Sequence, residues 1–138
     1  LERPEQESYF LPLVERLNLR IPIILVGGNR NIERLEQIIR SGKAELISLC
    51  RPLICEPDLP RRWLEGRGSS DADCISCNAC LYEMYTRVDA GEPVVASCVF
   101  KRDRGKAREA QRWLRSWVSK NAVRPAPTDH LPGEATTD

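Results

Sequence analysis

A chain of 138 residues with 41% hydrophobic and 30% charged residues has the composition of an ordinary globular protein, with enough apolar side chains for one modest core. Its longest apolar stretch without charge, residues 21–28, is far shorter than the roughly 20 residues that a membrane span needs. The amino terminus also lacks a basic-then-apolar signal pattern. We therefore expect a cytoplasmic protein with no membrane partner.

The formal net charge of +1 hides a strong asymmetry along the chain. Residues 101–124 hold nine basic side chains against Asp103 and Glu109, a net charge of +7, so the remainder sums to −6. Such a basic segment can fold back on an acidic body, bind an acidic partner or contact nucleic acid, but it is most often a solvated helix face. We expect no nucleic-acid binding.

The first predicted element is an amphipathic helix at residues 5–18. Its apolar positions recur at helical spacing and are Tyr9, Leu13, Val14 and Leu17. A proline inside a helix removes a hydrogen bond, so Pro12 favours a helix that begins near Phe10 or kinks there.

A strand–helix–strand unit follows. Residues 21–26 form a near-continuous apolar run, which is typical of a strand buried on both faces of a parallel sheet. A glycine pair ends this run, Asn31 caps a helix that ends near Gly42, and a second apolar run covers residues 46–50. The crossover makes the two strands parallel, and the pair needs further strands and helices to complete a domain. The predicted fold class is α/β, as an excerpt of a larger sheet.

The later elements are shorter or less regular. We predict a short helix over residues 56–64, an extended pair or coil at residues 94–100, and a helix over residues 104–120. The apolar stripe of this last helix is predicted to be Trp113, Leu114, Trp117 and Val118. The Pro-containing tail beyond Arg124 is predicted to be disordered.

The glycine pair and an arginine form a candidate anion site. Gly27 and Gly28 lie between a strand and a helix, where a phosphate can approach the backbone N–H groups, although the pattern alone is more often a tight turn. Arg51 ends the second strand, and parallel strands present their carboxyl ends on one rim. A guanidinium there can hold phosphate by a forked contact, while a salt bridge across the rim is the alternative.

Four of the six cysteines are the stronger chemical signal. Cys74, Cys77 and Cys80 form two consecutive CxxC steps, and Cys98 follows. Because no secretory signal is seen, metal or redox chemistry is favoured over structural disulfides. Four thiolates suit either an iron–sulfur cluster or tetrahedral zinc, and the spacing does not separate the two.

Three strings give the chain a specific resemblance. Residues 22–28, 42–54 and 56–59 resemble the last two units of the (β/α)8, or TIM, barrel in the NADH:flavin oxidoreductase (Old Yellow Enzyme-like) family. In that family a double glycine and a Gly-Arg-Pro motif hold the FMN phosphate. The resemblance therefore implies an FMN-binding set of Gly27, Gly28, Cys50 and Arg51. Cys50 stands where the family usually has glycine, so we expect its side chain to crowd the phosphate.

The resemblance extends to the cysteines. The dienoyl-CoA reductase-like branch of the family carries a four-cysteine [4Fe-4S] cluster just after the barrel, which passes electrons between FMN and a second flavin in a downstream domain. This implies cluster ligation by Cys74, Cys77, Cys80 and Cys98. The spacing departs from the family pattern, because two residues rather than three separate Cys77 from Cys80, and 17 residues precede Cys98.

The resemblance implies an enzyme that takes hydride from NAD(P)H onto FMN and passes it to an electrophilic alkene or another small-molecule acceptor. This chain would supply the phosphate end of the flavin site, with the missing amino-terminal barrel portion or another subunit as its partner. No catalytic residue is assigned, Cys55 is expected to be a packing residue, and His130 is not expected to be catalytic. Since a whole barrel takes about 250 residues, we expect the isolated chain to be inactive.

The predicted divisions are a barrel portion at residues 1–66, a Cys-rich segment at 67–100, a basic helix at 101–121 and the tail at 122–138. Two other functions fit the same residues. One is a non-enzymatic zinc-binding module whose basic helix binds an acidic protein or nucleic acid, and the other is an inactive barrel remnant. Iron and sulfide analysis distinguishes a cluster from zinc. Measured binding of FMN and metal tests whether the chain is an inactive remnant.

Overall fold

The structure is a computed structural model that describes residues 7–17 and 19–121, so the predicted disordered tail lies outside the described residues. The elements in chain order are α1 (Leu11–Leu17), β1 (Ile24–Leu25), α2 (Ile32–Arg40), β2 (Leu46–Ile47), α3 (Arg51–Cys55), α4 (Leu59–Leu64), α5 (Ala79–Asp89), α6 (Val99–Arg102) and α7 (Arg104–Asn121). This part of the chain is α/β and rich in helix. No helix in it is both long and apolar enough to cross a membrane.

The two strands pair in parallel, which confirms the predicted strand–helix–strand unit. Ile24 lies opposite Leu46, and Leu25 lies opposite Ile47. Burial on both faces was predicted, and this is wrong for the described residues, because Leu25 is buried while Ile24 and Leu46 are each 59% exposed. One face of the sheet packs on α1 and α2, and no described element covers the other face.

Helix α2 forms as its sequence predicts. The Asn31 side chain accepts a hydrogen bond from the Arg34 N–H at 2.9 Å and so caps the first turn. Gly42 follows the last turn with φ of 70°, a conformation that suits glycine. The helix turns Leu35 and Ile38 inward, where they join a first core of Leu11, Leu25, Leu35, Ile38 and Ala44.

Helix α1 begins at Leu11, close to the predicted start at Phe10, because Pro12 is tolerated in the first turn. Its predicted apolar stripe is mostly wrong. Tyr9, Leu13 and Leu17 are each about half exposed. Val14 is the member of the stripe that packs against the first core.

Two short helices follow the second strand. Helix α4 covers most of the predicted helix at residues 56–64, and Leu59 in its first turn is fully buried. Helix α3 was not predicted. It begins at Arg51 with Pro52 in its first turn, where a missing N–H costs nothing. Arg51 therefore lies at the start of a helix as well as after a strand.

Helices α5, α6 and α7 pack around a second core of Ala79, Val99, Ala107 and Ala110. The extended conformation predicted for residues 99–100 is wrong, since both lie in α6. Helix α7 was predicted, but its most buried residues are alanines that allow close helix approach. Trp113, Trp117 and Val118 are about half exposed, and Trp113 contacts the Tyr82 ring at a centroid distance of 4.9 Å.

Polar contacts tie the segment before α5 to the rest of the chain. Arg30 donates from Nη1 to the Cys74 carbonyl oxygen at 2.6 Å. The Asp73 N–H donates to Glu56 Oε2 at 2.5 Å, and the Asp73 carboxylate pairs with Lys101 at 2.8 Å. The hydrogen bond from Lys101 holds the pKa of Asp73 below its usual value. These polar contacts position the chain around Cys74, while Cys77 packs against the second core.

Candidate functional site

A cavity of about 180 Å³ lies where the two strands end, and we call it the glycine–arginine cavity. Residues that follow β1 form one wall, and residues that follow β2 form another. All four predicted FMN-binding residues, Gly27, Gly28, Cys50 and Arg51, line it. These residues therefore lie together at one rim, as the sequence predicts. Ligand binding there stays a prediction.

The glycine pair is required by backbone conformation and by space. Gly27 has φ of 96° and Gly28 has φ of 75°, values that other residues rarely adopt. A Cβ at Gly27 would lie 2.7 Å from ring atoms of both Tyr9 and Phe10. Within the described residues neither glycine N–H has a hydrogen-bond partner, so both are available to an anion.

Asn29 also lines this cavity, and its side chain holds the two strand ends together. Its side chain is buried and donates to the Leu25 carbonyl at 2.9 Å and to the Ser48 carbonyl at 3.0 Å. The Ser8 hydroxyl donates to the Asn29 amide oxygen at 3.0 Å. Sequence analysis did not find this residue. The available signal was an amide directly after the glycine pair.

Two arginines line the glycine–arginine cavity, and their partners differ. Arg30 is ion-paired with the buried Glu7 carboxylate at 3.0 Å. Arg51 donates to the neutral Asn78 amide oxygen, and no carboxylate of the described residues pairs with it. The salt bridge considered as an alternative for Arg51 is therefore not present in this part of the chain. Arg51 keeps an uncompensated charge that an anion can neutralise.

A second, smaller cavity of about 20 Å³ lies beside the first and is lined by five of the six cysteines; we call it the cysteine cavity. Four of the five are the predicted metal ligands, Cys74, Cys77, Cys80 and Cys98. The fifth is Cys55, which is buried as expected of a packing residue but also hydrogen-bonds to Cys98. Sequence spacing could not place it there, because α3 brings it from 19 positions before Cys74.

Burial disfavours the thiolate form of three of these cysteines, Cys55, Cys74 and Cys80. It raises the pKa of Cys74 and Cys80, and at Cys74 the Ser76 N–H and the Arg51 charge act in the opposite direction. Burial and the hydrogen bond to Cys98 raise the pKa of Cys55 to about 12. Since metals bind the thiolate, loading this site must release protons.

The donor set fits an iron–sulfur cluster or zinc, since both take four cysteine ligands. The described residues contain no group of three or more His, Cys, Asp or Glu side chains arranged to hold a metal ion. The cavity has room for about one water-sized atom. A single metal ion would require the thiols to turn inward. A four-iron cluster would also require the chain at residues 74–80 and the chain at Cys98 to move apart.

Known proteins match part of this chain. It is 42% identical over 60 residues to an NADH oxidase of Thermoanaerobacter brockii, a match that covers 44% of this chain and 9% of that protein. It is 31% identical over 85 residues to a 4,4'-dithiodibutanoate disulfide reductase of Rhodococcus erythropolis, covering 60% of this chain and 21% of that protein. It is 26% identical over 110 residues to a cinnamate reductase of Clostridium sporogenes, covering 78% and 16%.

The matched segment is a small part of each relative, between about a tenth and a fifth of these three proteins. No family model matches the chain, and no solved structure gives a significant match. Other matched proteins include two NADH-dependent flavin oxidoreductases, from Talaromyces variabilis and a Neonectria species. This partial, local similarity supports the resemblance to the NADH:flavin oxidoreductase (Old Yellow Enzyme-like) family.

Proposed function

We propose that this chain is the carboxyl-terminal barrel portion of a cytoplasmic, FMN-dependent NAD(P)H oxidoreductase, and that it supplies the FMN phosphate site. The observation that carries the proposal is the glycine–arginine cavity. There, two glycine N–H groups and an arginine meet at the ends of parallel strands, and among the described residues the N–H groups have no acceptor and the arginine has no carboxylate partner. Bound FMN would supply the hydride chemistry, with NAD(P)H as donor and a small molecule as acceptor.

Four residues of the cavity are expected to affect phosphate binding, three by donating hydrogen bonds and one by occupying space. Gly27 and Gly28 donate backbone N–H groups, which need no side-chain ordering. Arg51 offers a forked, charged contact that also neutralises the phosphate. Cys50 is exposed at the cavity wall, so its side chain occupies space that glycine would leave to the ligand. We therefore expect the Cys50 thiol to weaken phosphate binding.

The proposed partner is the amino-terminal part of the same barrel, in the same or another chain. The open face of the sheet supports this partner, because Ile24, Val26 and Leu46 are each about half exposed or more. Each strand of the described sheet also has one unpaired edge. Covering this surface with further barrel strands would bury apolar area and so favour association.

The cysteine cavity is proposed as the metal centre of the same enzyme, a [4Fe-4S] cluster held by Cys74, Cys77, Cys80 and Cys98. Convergence of these four thiols on one small cavity supports the ligand set. In such a centre the chain would hold the metal and exclude water from it, since Val99 and Phe100 form apolar parts of the wall.

A zinc-binding module is the second candidate, and one observation favours it. The cysteine cavity has the size of a single small atom rather than that of a four-iron cluster. Arg108, Arg112 and Arg115 on α7 are exposed and have no ion pair within the described residues, as an acidic partner would require. One equivalent of zinc without sulfide would favour this module.

The test of the main proposal is co-expression with the amino-terminal barrel portion of a family member. The two parts should copurify and retain FMN, because the exposed strand face becomes buried and the phosphate site completes the flavin site. Neither part alone should retain FMN. A chain that stays monomeric beside several such barrel portions would contradict the proposal.

A further inference from the structure

One loop separates the two cavities. Residues 74–78, which we call the cysteine loop, carry Cys74 and Cys77 into the cysteine cavity. Ser76 of the same loop lines the glycine–arginine cavity instead. Arg51 lines both cavities. The wall between the proposed phosphate site and the proposed metal centre is therefore built from the cysteine loop and Arg51.

The backbone of the cysteine loop explains how neighbouring residues face opposite ways. Ser76 has φ of 56° and Asn78 has φ of 60°, and both values are uncommon for residues other than glycine. The Ser76 N–H bonds to the Cys74 thiol, which anchors the backbone on the cysteine side. Its hydroxyl has no hydrogen-bond partner among the described residues. A free hydroxyl in the wall of an anion cavity is an available donor.

Asn78 acts on the same cavity through Arg51. The Arg51 guanidinium donates to the Asn78 amide oxygen, and no carboxylate of the described residues competes for it. A neutral acceptor fixes the direction of a guanidinium without cancelling its charge. An aspartate at this position would fix it equally well but would compensate the charge that the phosphate needs.

We propose that the cysteine loop is part of the anion site, with Ser76 as a phosphate-binding residue and Asn78 as the positioning residue for Arg51. This inference rests on the proposed phosphate role of the glycine–arginine cavity. It assigns to the loop between the first two cysteines a role beyond metal ligation. The ligand class is a dianionic phosphate, whose several oxygens can accept from Ser76, Arg51 and the glycine N–H groups together.

The experiment titrates the full chain with inorganic phosphate at constant ionic strength and reads binding by ³¹P line broadening. Ser76→Ala removes the hydroxyl alone and should weaken phosphate binding about tenfold or more, the usual effect of losing a hydrogen bond to a charged group. Asn78→Gly keeps a residue that tolerates positive φ, and should weaken binding by about two- to tenfold. Asn78→Asp should weaken it further than Asn78→Gly, because the new carboxylate pairs with Arg51.

Ser97→Ala is the matched control. Ser97 directly precedes Cys98 and accepts a hydrogen bond from Arg102 at 2.7 Å. Because it lines neither cavity, loss of its hydroxyl should leave phosphate binding unchanged. This inference alone would be overturned if Arg51→Ala loses phosphate binding while Ser76→Ala and Asn78→Gly bind phosphate as the wild type does. No phosphate binding by the wild type would overturn the phosphate site itself. An Asn78→Asp variant that binds as well as Asn78→Gly would remove the positioning role.

Discussion

The sheet unit, residues 7–17 and 19–65, and the helix unit, residues 79–121, are built in different ways. The sheet unit has a core of large aliphatic side chains, such as Leu25 and Ile38, yet leaves Ile24 and Leu46 open on the other face of the sheet. The helix unit packs three helices on small residues such as Ala107 and Ala110, and so covers its own core. The sheet unit is thus shaped to be completed by other strands, whereas the helix unit buries its alanines between its own three helices.

The candidate site lies where these two units meet. The sheet unit supplies Gly27, Gly28 and Arg51, and the cysteine loop leads from it into the helix unit. Hydrogen bonds and ion pairs, such as those made by Arg30 and Lys101, hold this junction.

The largest effect is expected from the cysteine side. Protein purified without oxygen should contain iron and acid-labile sulfide, and Cys77→Ala should remove both, because a cluster that loses one of four ligands is not retained. Metal and sulfide analysis measures this directly. Cys50→Ala is the control, since Cys50 lines the glycine–arginine cavity and not the cysteine cavity. Finding one equivalent of zinc and no sulfide would contradict the cluster and favour the zinc-binding module.

The next largest effect is expected on stability, from a substitution in the glycine turn of the sheet unit. Gly27→Ala should lower the free energy of unfolding by more than about 1–2 kcal/mol, the usual cost of a left-handed residue with a Cβ, because the added methyl also meets the Tyr9 and Phe10 rings. Gly42→Ala is the matched control: its φ is also positive at 70°, but a Cβ there meets nothing within 4 Å. Urea unfolding of both variants measures the difference. Equal losses would mean that the rings move aside and that only the backbone conformation matters.

The smallest expected effect is the dependence of the free energy of unfolding on pH. Burial raises the pKa of Cys55 from 9.0 to about 12, so above pH 9 the unfolded chain loses this proton while the folded chain keeps it. The free energy of unfolding of the metal-free, reduced protein should therefore fall as pH rises from 9 towards 12. Cys55→Ala should show a shallower decline over the same range. Parallel pH profiles for the two proteins would show that the Cys55 thiol is not shielded from water.

Local signals explain which parts of the fold were predictable. Asn31, the helix after it and the parallel strand pair were predicted because capping, periodicity and crossover rules act over short distances. Helix α5 was missed, since it starts from Asn78 in a left-handed conformation with no side-chain cap. The buried face of α7 was misassigned because periodicity weighs Trp113 and Trp117 above the alanines that allow close packing.

The site was predictable to the extent that its residues were marked by type and spacing. Gly27, Gly28, Arg51 and the four spaced cysteines were predicted, and they line two adjacent cavities. Asn29, Ser76 and Cys55 were not predicted as site residues. Their relation to the site depends on which way a loop or a helix turns each side chain, and an isolated sequence does not encode this in any periodic pattern.

The most direct test of the phosphate assignment compares FMN with riboflavin in the complex of this chain with the amino-terminal barrel portion. Arg51→Ala should weaken FMN binding by about 1.5–3 kcal/mol, the usual value for a hydrogen bond to a charged group, and should leave riboflavin unaffected because it lacks the phosphate. Arg40→Ala, which removes an exposed arginine paired with Glu36, should change neither affinity. Equal FMN affinity with and without the Arg51 side chain would contradict the account.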